Sequence, residues 1–272
     1  MASPEALYGA GTSILITGAS SGIGAVLAEH LAQYGGRLAL VARRADRLEE
    51  VAAKVRAAGG EPLVIVADVS DASAVARAHA EIAERQGAVQ VAFLNAGIGA
   101  TMPIHRFKAE IPVRAMQVNY FGAVYWIEHL LPPMLERSAG VIVGISSLAA
   151  LASMPANGGY SASKAALSNL LSSLRMEAAP RGLQISTVEP GFVRSELTDQ
   201  NKTPMPFLME TLDAVRIICD EVADGRAVIR FPWPMSAALR VLQTIPRPLY
   251  ERIGAAMAGK MTRKKSSPTP KH

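Results

Sequence analysis

Short apolar runs that alternate with longer helical patterns constrain the fold of this chain more than any other feature. A short apolar run bounded by turn residues is typical of a strand buried on both faces. Between the runs, Leu48, Val51 and Val55 recur at helical spacing. This alternation predicts an α/β fold with a doubly wound parallel sheet of about seven strands and helices on both faces. The predicted strands are Ser13–Thr17, Arg37–Ala42, Pro62–Ala67, Val89–Leu94, Val141–Ile145, Gln184–Glu189 and Ala227–Phe231.

Residues 1–261 are predicted to form one domain, because no Pro/Ser-rich linker interrupts the strand pattern and half of the residues are hydrophobic. Within it, residues 196–210 combine prolines with bulky apolar side chains, which suits either a lid over a site or ordinary core. Residues 231–261 form an appendage in which four prolines are expected to keep helical pieces short. The tail, 262–272, is basic and is predicted to be disordered.

Charge and cysteine content exclude several functional classes. The formal net charge is +5, but residues 225–272 hold ten basic residues and only Glu251, so the rest of the chain is net negative. A nucleic-acid-binding surface is therefore not expected. The single cysteine, Cys219, excludes an internal disulfide, and the histidines show no ligand spacing, so no metal site is predicted. Without an export signal or a convincing membrane span, the expected location is the cytoplasm.

A glycine-rich turn follows the first predicted strand and leads directly into a helical pattern. Glycines there let the backbone approach a pyrophosphate, and the free N–H groups of the helix attract its negative charge. The turn therefore predicts a dinucleotide site of the Rossmann-like kind, although a tight connection alone would also use glycine. The residues of this turn taken as cofactor-binding are Gly18, Ser20, Ser21, Gly22, Ile23 and Gly24.

The end of the second predicted strand bears on the choice between NAD and NADP. An acidic residue at this point would bind the adenosine ribose hydroxyls of NAD. Here Ala42 is followed by Arg43 and Arg44, and guanidinium groups suit a 2′-phosphate. The sequence therefore favours NADP(H) over NAD(H). The alternative is that both arginines are simply solvated at a helix start.

Tyr160 and Lys164 are four residues apart and so share one face of a predicted helix. A nearby ammonium favours the phenolate, so Lys164 is expected to lower the pKa of Tyr160 from its usual value near ~10. Tyr160 could then exchange a proton with a substrate oxygen. Ser147 follows the predicted strand Val141–Ile145, where ligands of open α/β sheets bind, and could hydrogen-bond the same oxygen.

These motifs, in this order, resemble the short-chain dehydrogenase/reductase family over about residues 12–195. The resemblance implies that Tyr160 is the acid/base and that Lys164 holds the nicotinamide ribose. It also implies that Ser147 orients the substrate oxygen and that Asn119 sustains a water-linked proton relay. A homodimer or homotetramer is implied in the same way. The matching segments are Thr17–Gly24, Asp68–Val69, Asn95–Gly97, Asn119, Ser146–Ser147, Tyr160 with Lys164, and Pro190–Ser195.

Further cofactor contacts are implied by the same resemblance. The adenine would lie beside Asp68 and Val69, and its ribose beside Asn95, Ala96 and Gly97. The nicotinamide would be surrounded by Pro190, Gly191, Val193 and Ser195, and Tyr160 and Lys164 complete the set of cofactor contacts. Three positions depart from the family pattern. They are Leu94, Glu189, whose carboxylate precedes the nicotinamide loop, and Ser195, which keeps the hydroxyl of the more usual threonine.

The combined prediction is an NADP-dependent oxidoreductase that moves hydride between nicotinamide and a carbonyl or secondary alcohol of a largely apolar small molecule. One alternative is a dinucleotide-binding regulatory protein. Another is a reductase held peripherally at a membrane by its C-terminal helices. For the apolar residues between Trp233 and Tyr250, packing against the protein is favoured over lipid contact.

Overall fold

The computed structural model describes residues 3–199 and 205–263, and its centre is one parallel sheet of seven strands. The strand order is β3-β2-β1-β4-β5-β6-β7. The order reverses between β1 and β4, which creates the crevice at the sheet edge where α/β proteins bind ligands. The strands are β1 Ser13–Thr17, β2 Arg37–Ala42, β3 Glu61–Val66, β4 Val91–Leu94, β5 Gly140–Ile145, β6 Leu183–Pro190 and β7 Val228–Phe231.

All seven predicted strands are present, and the predicted doubly wound topology is confirmed. β1 and β2 have the predicted bounds, and the others differ by one or two residues at an end. The chain alternates strands with helices, as expected for βαβ units. The helices are α1 Pro4–Tyr8, α2 Gly22–Ala32, α3 Ala45–Ala57, α4 Ala72–Gln86, α5 Glu110–Met116, α6 Gly122–Glu136, α7 Gly158–Ala178, α8 Glu196–Asp199, α9 Thr211–Ala223, α10 Trp233–Thr244 and α11 Arg247–Arg263.

Two hydrophobic cores lie on opposite faces of the sheet. On one face α2, α3 and α9 bury residues such as Leu27 and Ile218. On the other face α4, α6 and α7 bury residues such as Ile82, Trp126 and Leu171. The strands supply side chains to both cores, which explains why they read as continuous apolar runs rather than as alternating patterns.

The segment predicted to be a lid, residues 196–210, is only partly described. It begins with the short helix α8, and residues 200–204 lie outside the described residues. Beyond them, Met209 pairs with Val193 in an isolated parallel bridge, so the described end of the segment is attached beside the loop that follows β6. The tail predicted over 262–272 lies, from residue 264 onward, outside the described residues.

The prediction that prolines keep the C-terminal helices short is wrong. Pro234 and Pro248 lie in the first turns of α10 and α11, which are 12 and 17 residues long. A proline in the first turn removes no intrahelical hydrogen bond, because the first N–H groups of a helix have no acceptor there. These two prolines begin helices instead of ending them.

Candidate active site

The glycine turn between β1 and α2 has the geometry that a bound pyrophosphate requires. Gly18 and Gly22 have φ of 68° and 55°, in the region that favours glycine. A Cβ on Gly24 would lie 2.4 Å from the carbonyl oxygen of Gly18. Ser21 precedes α2 and its side chain makes no capping hydrogen bond. The first N–H groups of α2, including those of Ile23 and Gly24, therefore remain available to an anionic ligand, so the turn fits a dinucleotide.

The crevice beside this turn is held together by β1 and β4. The Thr17 hydroxyl accepts hydrogen bonds from the backbone N–H groups of Asn95 and Ala96, at 3.0 and 3.1 Å. The Asn95 side-chain amide donates to the Thr17 carbonyl at 3.0 Å. Asn95 thus fixes the two strand ends that form the crevice, a structural task that the resemblance had not specified. Ala96 also closes the space next to Gly18, where a Cβ would lie 2.8 Å from its Cα.

Arg43 and Arg44 lie at the end of β2, on the same side of the sheet as the glycine turn. Arg44 donates to the hydroxyls of Ser20 and Ser21, at 3.2 and 2.9 Å. It also pairs with Glu196 of α8 at 3.0 Å. Arg43 lies 3.8 Å from the carboxylate of Asp68. Arg44 therefore borders the turn, Arg43 lies beside Asp68, and no acidic side chain occupies the end of β2 itself.

Asp68 and Val69 follow β3 and close the outer side of this region. Burial alone would raise the pKa of the Asp68 carboxyl, but hydrogen bonds from Ser70 and the ion pair with Arg114 lower it below its ordinary value. Arg114 and Asp68 are 3.0 Å apart. Val69 packs so closely on Gly122 that a Cβ there would lie 2.8 Å from its Cγ2. Asp68 therefore stays charged and bonded to protein groups.

Tyr160, Lys164 and Ser147 come together where β5 ends and α7 begins. Ser147 hydrogen-bonds the phenol of Tyr160. Its hydroxyl also accepts from the backbone N–H of Ala149 at 3.1 Å. The ammonium nitrogen of Lys164 lies 5.9 Å from the centre of the Tyr160 ring and donates to the carbonyl of Ile145 at 2.8 Å. The three side chains predicted to act together are therefore neighbours.

The ionisation of this group differs from the expectation. Burial raises the pKa of Tyr160 above its ordinary value, and the hydrogen bond from Ser147 lowers it only in part. Burial also lowers the pKa of Lys164 to about 8. In the protein by itself the pKa of Tyr160 is therefore raised, and Lys164 is not among the causes of the shift. Desolvation opposes both charged forms, and the ammonium is directed at a backbone carbonyl rather than at the phenol oxygen.

We expect Lys164→Met to change the pH dependence of stability. The lysine is 4% exposed, with a pKa of about 8 against an ordinary value of 10.5. Between these values the unfolded chain binds more protons than the folded chain, so the free energy of unfolding of the wild type rises with pH. The variant lacks this group. The free energy of unfolding of the wild type minus that of the variant should therefore increase by up to about 3 kcal/mol as the pH rises from the lower to the higher of these two pKa values.

Urea unfolding of both proteins at several pH values checks this expectation. Lys164 is not among the causes of the raised pKa of Tyr160, so the tyrosine is expected to titrate alike in both proteins. If the free energies of unfolding of wild type and variant changed in parallel with pH, the pKa of Lys164 would not be lowered in the folded protein.

Asn119 lies in a π-helical turn, Gln117–Phe121, between α5 and α6. Single π turns in α-helices are frequent at functional sites. The Asn119 side chain accepts from the backbone N–H of Ile98 at 2.7 Å and donates to the hydroxyl of Ser163 at 2.9 Å. A Cβ on Gly97 would lie 3.3 Å from the Asn119 oxygen and 3.2 Å from the Lys164 ammonium. Asn119 and Lys164 therefore face the same small space beside Gly97.

The loop after β6 completes the site. The N–H of Gly191 donates to the carbonyl of Phe231 on β7 at 2.7 Å, which anchors the loop. The hydroxyl of Ser195 donates to the carbonyl of Val193 at 3.3 Å. Ser147 lies 3.5 Å from the carbonyl of Pro190, so this loop adjoins the catalytic group. A Cβ on Gly22 would lie 3.2 Å from the Cβ of Ser195, which places the glycine turn and the loop side by side.

Glu189, which the sequence singled out without an explanation, is the centre of a buried polar network. Its carboxylate accepts a short hydrogen bond from Arg230, its register partner on β7. It also lies 3.0 Å from the hydroxyl oxygen of Ser168 on α7, whose single proton is shared between Glu189 and Ser146, 2.8 Å away. Ser146 donates to the backbone carbonyl of Lys164 at 2.9 Å. Glu189 thus links β6 and β7 to the helix that carries Tyr160.

Ser146, Ser163 and Ser168 are the positioning residues that the sequence analysis missed as functional contributors. Ser163 receives the Asn119 amide and donates to the Tyr160 carbonyl at 2.7 Å. The helical spacing of Ser168 from Lys164 was the signal that could have identified it, because both lie on one face of α7. Residues 3–199 and 205–263 contain no cluster of His, Cys, Asp and Glu able to hold a metal ion.

Comparisons with known proteins identify the family to which this chain belongs. The model of the short chain dehydrogenase family matches residues 12–205. An uncharacterised oxidoreductase of Myxococcus xanthus is 37% identical over 237 residues, which cover 87% of this chain and 94% of that protein. A short-chain dehydrogenase from Sphingobium yanoikuyae in complex with NADPH is 27% identical, with a TM-score of 0.75 over 87% of this chain and 97% of that one.

A short chain dehydrogenase/reductase from Burkholderia phymatum in complex with NAD has a TM-score of 0.80 over 98% of this chain and 99% of that one. At 24% identity this likeness concerns the fold. The helices of the described ranges include none that is long and apolar enough to cross a bilayer. Because the family model and the Myxococcus relative each cover most of the sequence, the chain belongs to the short-chain dehydrogenase/reductase family of oxidoreductases, whose members bind a nicotinamide dinucleotide.

Proposed function

We propose that this protein is an NADP-dependent reductase or dehydrogenase acting on a carbonyl or secondary alcohol of a largely apolar small molecule. The observation that carries the proposal is the meeting of Tyr160, Ser147 and Lys164 at the end of β5, beside the glycine turn and the loop after β6. A regulatory protein that only bound a dinucleotide would need no such group next to the nicotinamide position.

The nicotinamide would supply or receive the hydride at the substrate carbon. Tyr160 would donate the proton to the substrate oxygen during reduction and remove it during oxidation. Its raised pKa keeps the phenol protonated, which suits donation in the reductive direction. Ser147 would hydrogen-bond the same oxygen and hold it within reach of the phenol. Lys164, with a pKa of about 8, would return a proton to Tyr160 at near-neutral pH.

The proton path continues toward Asn119 in this proposal. The Asn119 side chain and the Lys164 ammonium both border the space next to Gly97. The Asn119 side chain is held at this point by hydrogen bonds with the backbone N–H and carbonyl of Ile98. A water held there by Asn119 would accept and deliver protons for Lys164, as the family resemblance implies.

The preference for NADP rests on Arg43 and Arg44. Arg44 contacts both serines of the glycine turn, and Arg43 lies next to Asp68, so a 2′-phosphate between them would meet two guanidinium groups. The likeness to solved relatives does not decide this point, because one is in complex with NADPH and another with NAD. Guanidinium pairs bind phosphate oxygens by charge-assisted hydrogen bonds, whereas a ribose hydroxyl gains less from them.

An apolar substrate is proposed because apolar side chains border the loop after β6. A Cβ on Gly191 would lie 3.0 Å from the sulfur of Met235 on α10. Phe207 and Leu208 lie in the described end of the lid segment and are not part of the two cores. Sites lined in this way select substrates by buried apolar area, with a few polar groups for orientation.

The experiment that tests the function is a turnover screen with purified protein. Ketones, aldehydes and secondary alcohols of increasing apolar size are offered with each reduced and oxidised cofactor. We expect turnover that is faster with the NADP(H) pair and that improves as the substrate becomes more apolar. Tight NADPH binding with no turnover of any carbonyl or alcohol would favour the dinucleotide-binding regulator instead.

A homodimer or homotetramer is proposed as well, and the cytoplasm is the proposed location. Exposed apolar side chains lie beside or on α6 and α7: Phe121, Leu135 and Met176. The family resemblance implies that these two helices pair between subunits. Burying them in an interface would remove apolar surface from water. The molar mass from light scattering measures the oligomeric state.

A further inference from the structure

Helix α10 carries an exposed apolar stripe that the rest of the described chain does not cover. Trp233 is 76% exposed and Val241 is 64% exposed. They are eight residues apart and therefore share one face of α10, together with Ala237 between them. A tryptophan is the residue type most suited to a boundary between water and hydrocarbon, because its ring is apolar and its N–H is polar.

Helix α11 carries a second exposed apolar stripe. Leu249 and Ile253 are 49% and 39% exposed and are four residues apart, so they too form one stripe. The expectation that the C-terminal apolar residues pack against the protein holds only for some of them. Met235, Leu239 and Leu242 are half-buried, whereas Trp233 and Leu249 face outward. We call the exposed residues Trp233, Val241, Leu249 and Ile253 the C-terminal apolar surface.

The charges around the C-terminal apolar surface are almost all positive. Arg240, Arg247 and Arg252 lie on the same two helices, and the chain continues beyond Arg263 with three lysines and no acidic residue. The one acidic residue of these helices, Glu251, pairs with Arg247 at 3.0 Å. Apolar stripes flanked by basic residues are the pattern of helices that lie on anionic lipid surfaces.

The charge distribution argues against a second copy of this chain as the occupant. In a two-fold interface the same patch meets itself, so Arg240 and Arg252 would face equivalent arginines with little negative charge to offset them. An anionic bilayer meets the same residues with opposite charge and accepts the apolar side chains into its interface.

The C-terminal apolar surface also lies beside the catalytic cleft. Gln243 of α10 donates to the carbonyl of Leu151 at 2.8 Å. The hydroxyl of Tyr250 on α11 hydrogen-bonds the carbonyl of Ser153. Both carbonyls belong to the segment between Ser147 and the start of α7, and Met235 abuts the loop after β6 at Gly191. The two helices therefore form a rim of the cleft that holds Ser147 and Tyr160.

We infer that α10 and α11 dock the protein on an anionic bilayer surface, so that the catalytic cleft opens toward the lipid and takes its apolar carbonyl or alcohol substrate from the membrane. The inference that the substrate comes from the membrane rests on the proposed function, whereas the inference of docking does not. Docking is peripheral: the helices lie in the headgroup region and do not span the bilayer.

Vesicle sedimentation of the full-length protein tests the docking without any substrate. The probes are vesicles of phosphatidylcholine alone and vesicles in which about a third of the lipid is phosphatidylglycerol. We expect the wild type to bind the anionic vesicles at least about tenfold more tightly and to lose most of this difference at high salt, since screening weakens attraction between surface charges.

Two variants separate the apolar and the basic contributions. Trp233→Ser with Val241→Ser should reduce binding to anionic vesicles about tenfold or more. Arg240→Gln with Arg252→Gln should reduce the preference for anionic lipid by about tenfold or more, because each basic residue near an anionic surface contributes to it. Leu212→Ser, which changes an exposed apolar residue on α9, is the matched control and should bind as the wild type does. All these side chains are exposed, so the variants should fold, and thermal unfolding verifies it.

Turnover of a water-soluble carbonyl compound with NADPH should be unchanged in the Trp233→Ser, Val241→Ser double variant, which separates docking from the proposed function. The inference is overturned if the wild type does not bind anionic vesicles, or if the double variant binds them as well as the wild type does. It is equally overturned if the double variant changes the oligomeric state while vesicle binding stays the same, because the surface would then be an interface between copies.

Discussion

Replacing Tyr160 with phenylalanine should reduce turnover by on the order of 10²-fold or more and leave the affinity for NADPH almost unchanged. The phenol oxygen is the only atom removed, and it is the atom that would pass a proton to the substrate oxygen. The ring stays in place over the Lys164 side chain, 5.9 Å from its ammonium. Steady-state kinetics and fluorescence titration with NADPH measure the two quantities separately.

Tyr125→Phe is the control for this substitution, because Tyr125 is half-buried on α6 and outside the group around Ser147. It should retain full turnover. If Tyr160→Phe turned over substrate as fast as the wild type while still binding NADPH, Tyr160 would have no role in proton transfer. Another acid in the cleft would then have to supply the proton.

Replacing Arg43 with alanine should weaken NADPH binding by about 1.5–3 kcal/mol, which is roughly 10- to 150-fold, through loss of charge-assisted hydrogen bonds to the 2′-phosphate. The affinity for NADH should hardly change, since NADH lacks that phosphate. The 3.8 Å separation of Arg43 from Asp68 is long for a hydrogen bond, so the guanidinium can turn to a phosphate at little cost. Isothermal titration with both cofactors measures the difference.

Arg47→Ala is the matched control for the cofactor prediction. Arg47 lies one turn further along, in α3, where it pairs with Glu50 at 3.0 Å and does not contact the glycine turn. Its loss should affect neither cofactor by more than about 0.5 kcal/mol. Equal affinity of the unmodified protein for NADPH and NADH would contradict the proposed preference outright.

The strands and the order of the sites along the chain were predictable because the relevant physics is local in sequence. A strand buried on both faces must be apolar throughout, so the runs from Ser13 to Phe231 could be recognised one by one. The glycine turn was recognisable because glycine adopts the positive φ of Gly18 and Gly22 at no steric cost and leaves room for the contact at Gly24. Helical periodicity placed Tyr160 and Lys164 on one face, and the ordered motifs of the family resemblance singled them out.

Features that depend on contacts between distant segments were not predictable. The pKa of Tyr160 depends on how much of the fold excludes water from it, and sequence spacing carries no such information. Glu189 could be noticed but not explained, because its partners are Arg230 on another strand and Ser168 on a helix. The exposure of Trp233 likewise depends on where α10 lies against β7 and the cleft.

The most direct test of the central claim is to follow deuterium from NADPH labelled at C4 of the nicotinamide, on either face, into the product of an apolar carbonyl compound. With the wild type, NADPH labelled on one face is expected to deliver deuterium to the alcohol carbon. Tyr160→Phe, with its cofactor bound, should deliver on the order of 10²-fold less in the same time. Saturated NADPH binding by the wild type with no deuterium in any product, across ketones and aldehydes, would contradict the claim that this site transfers hydride.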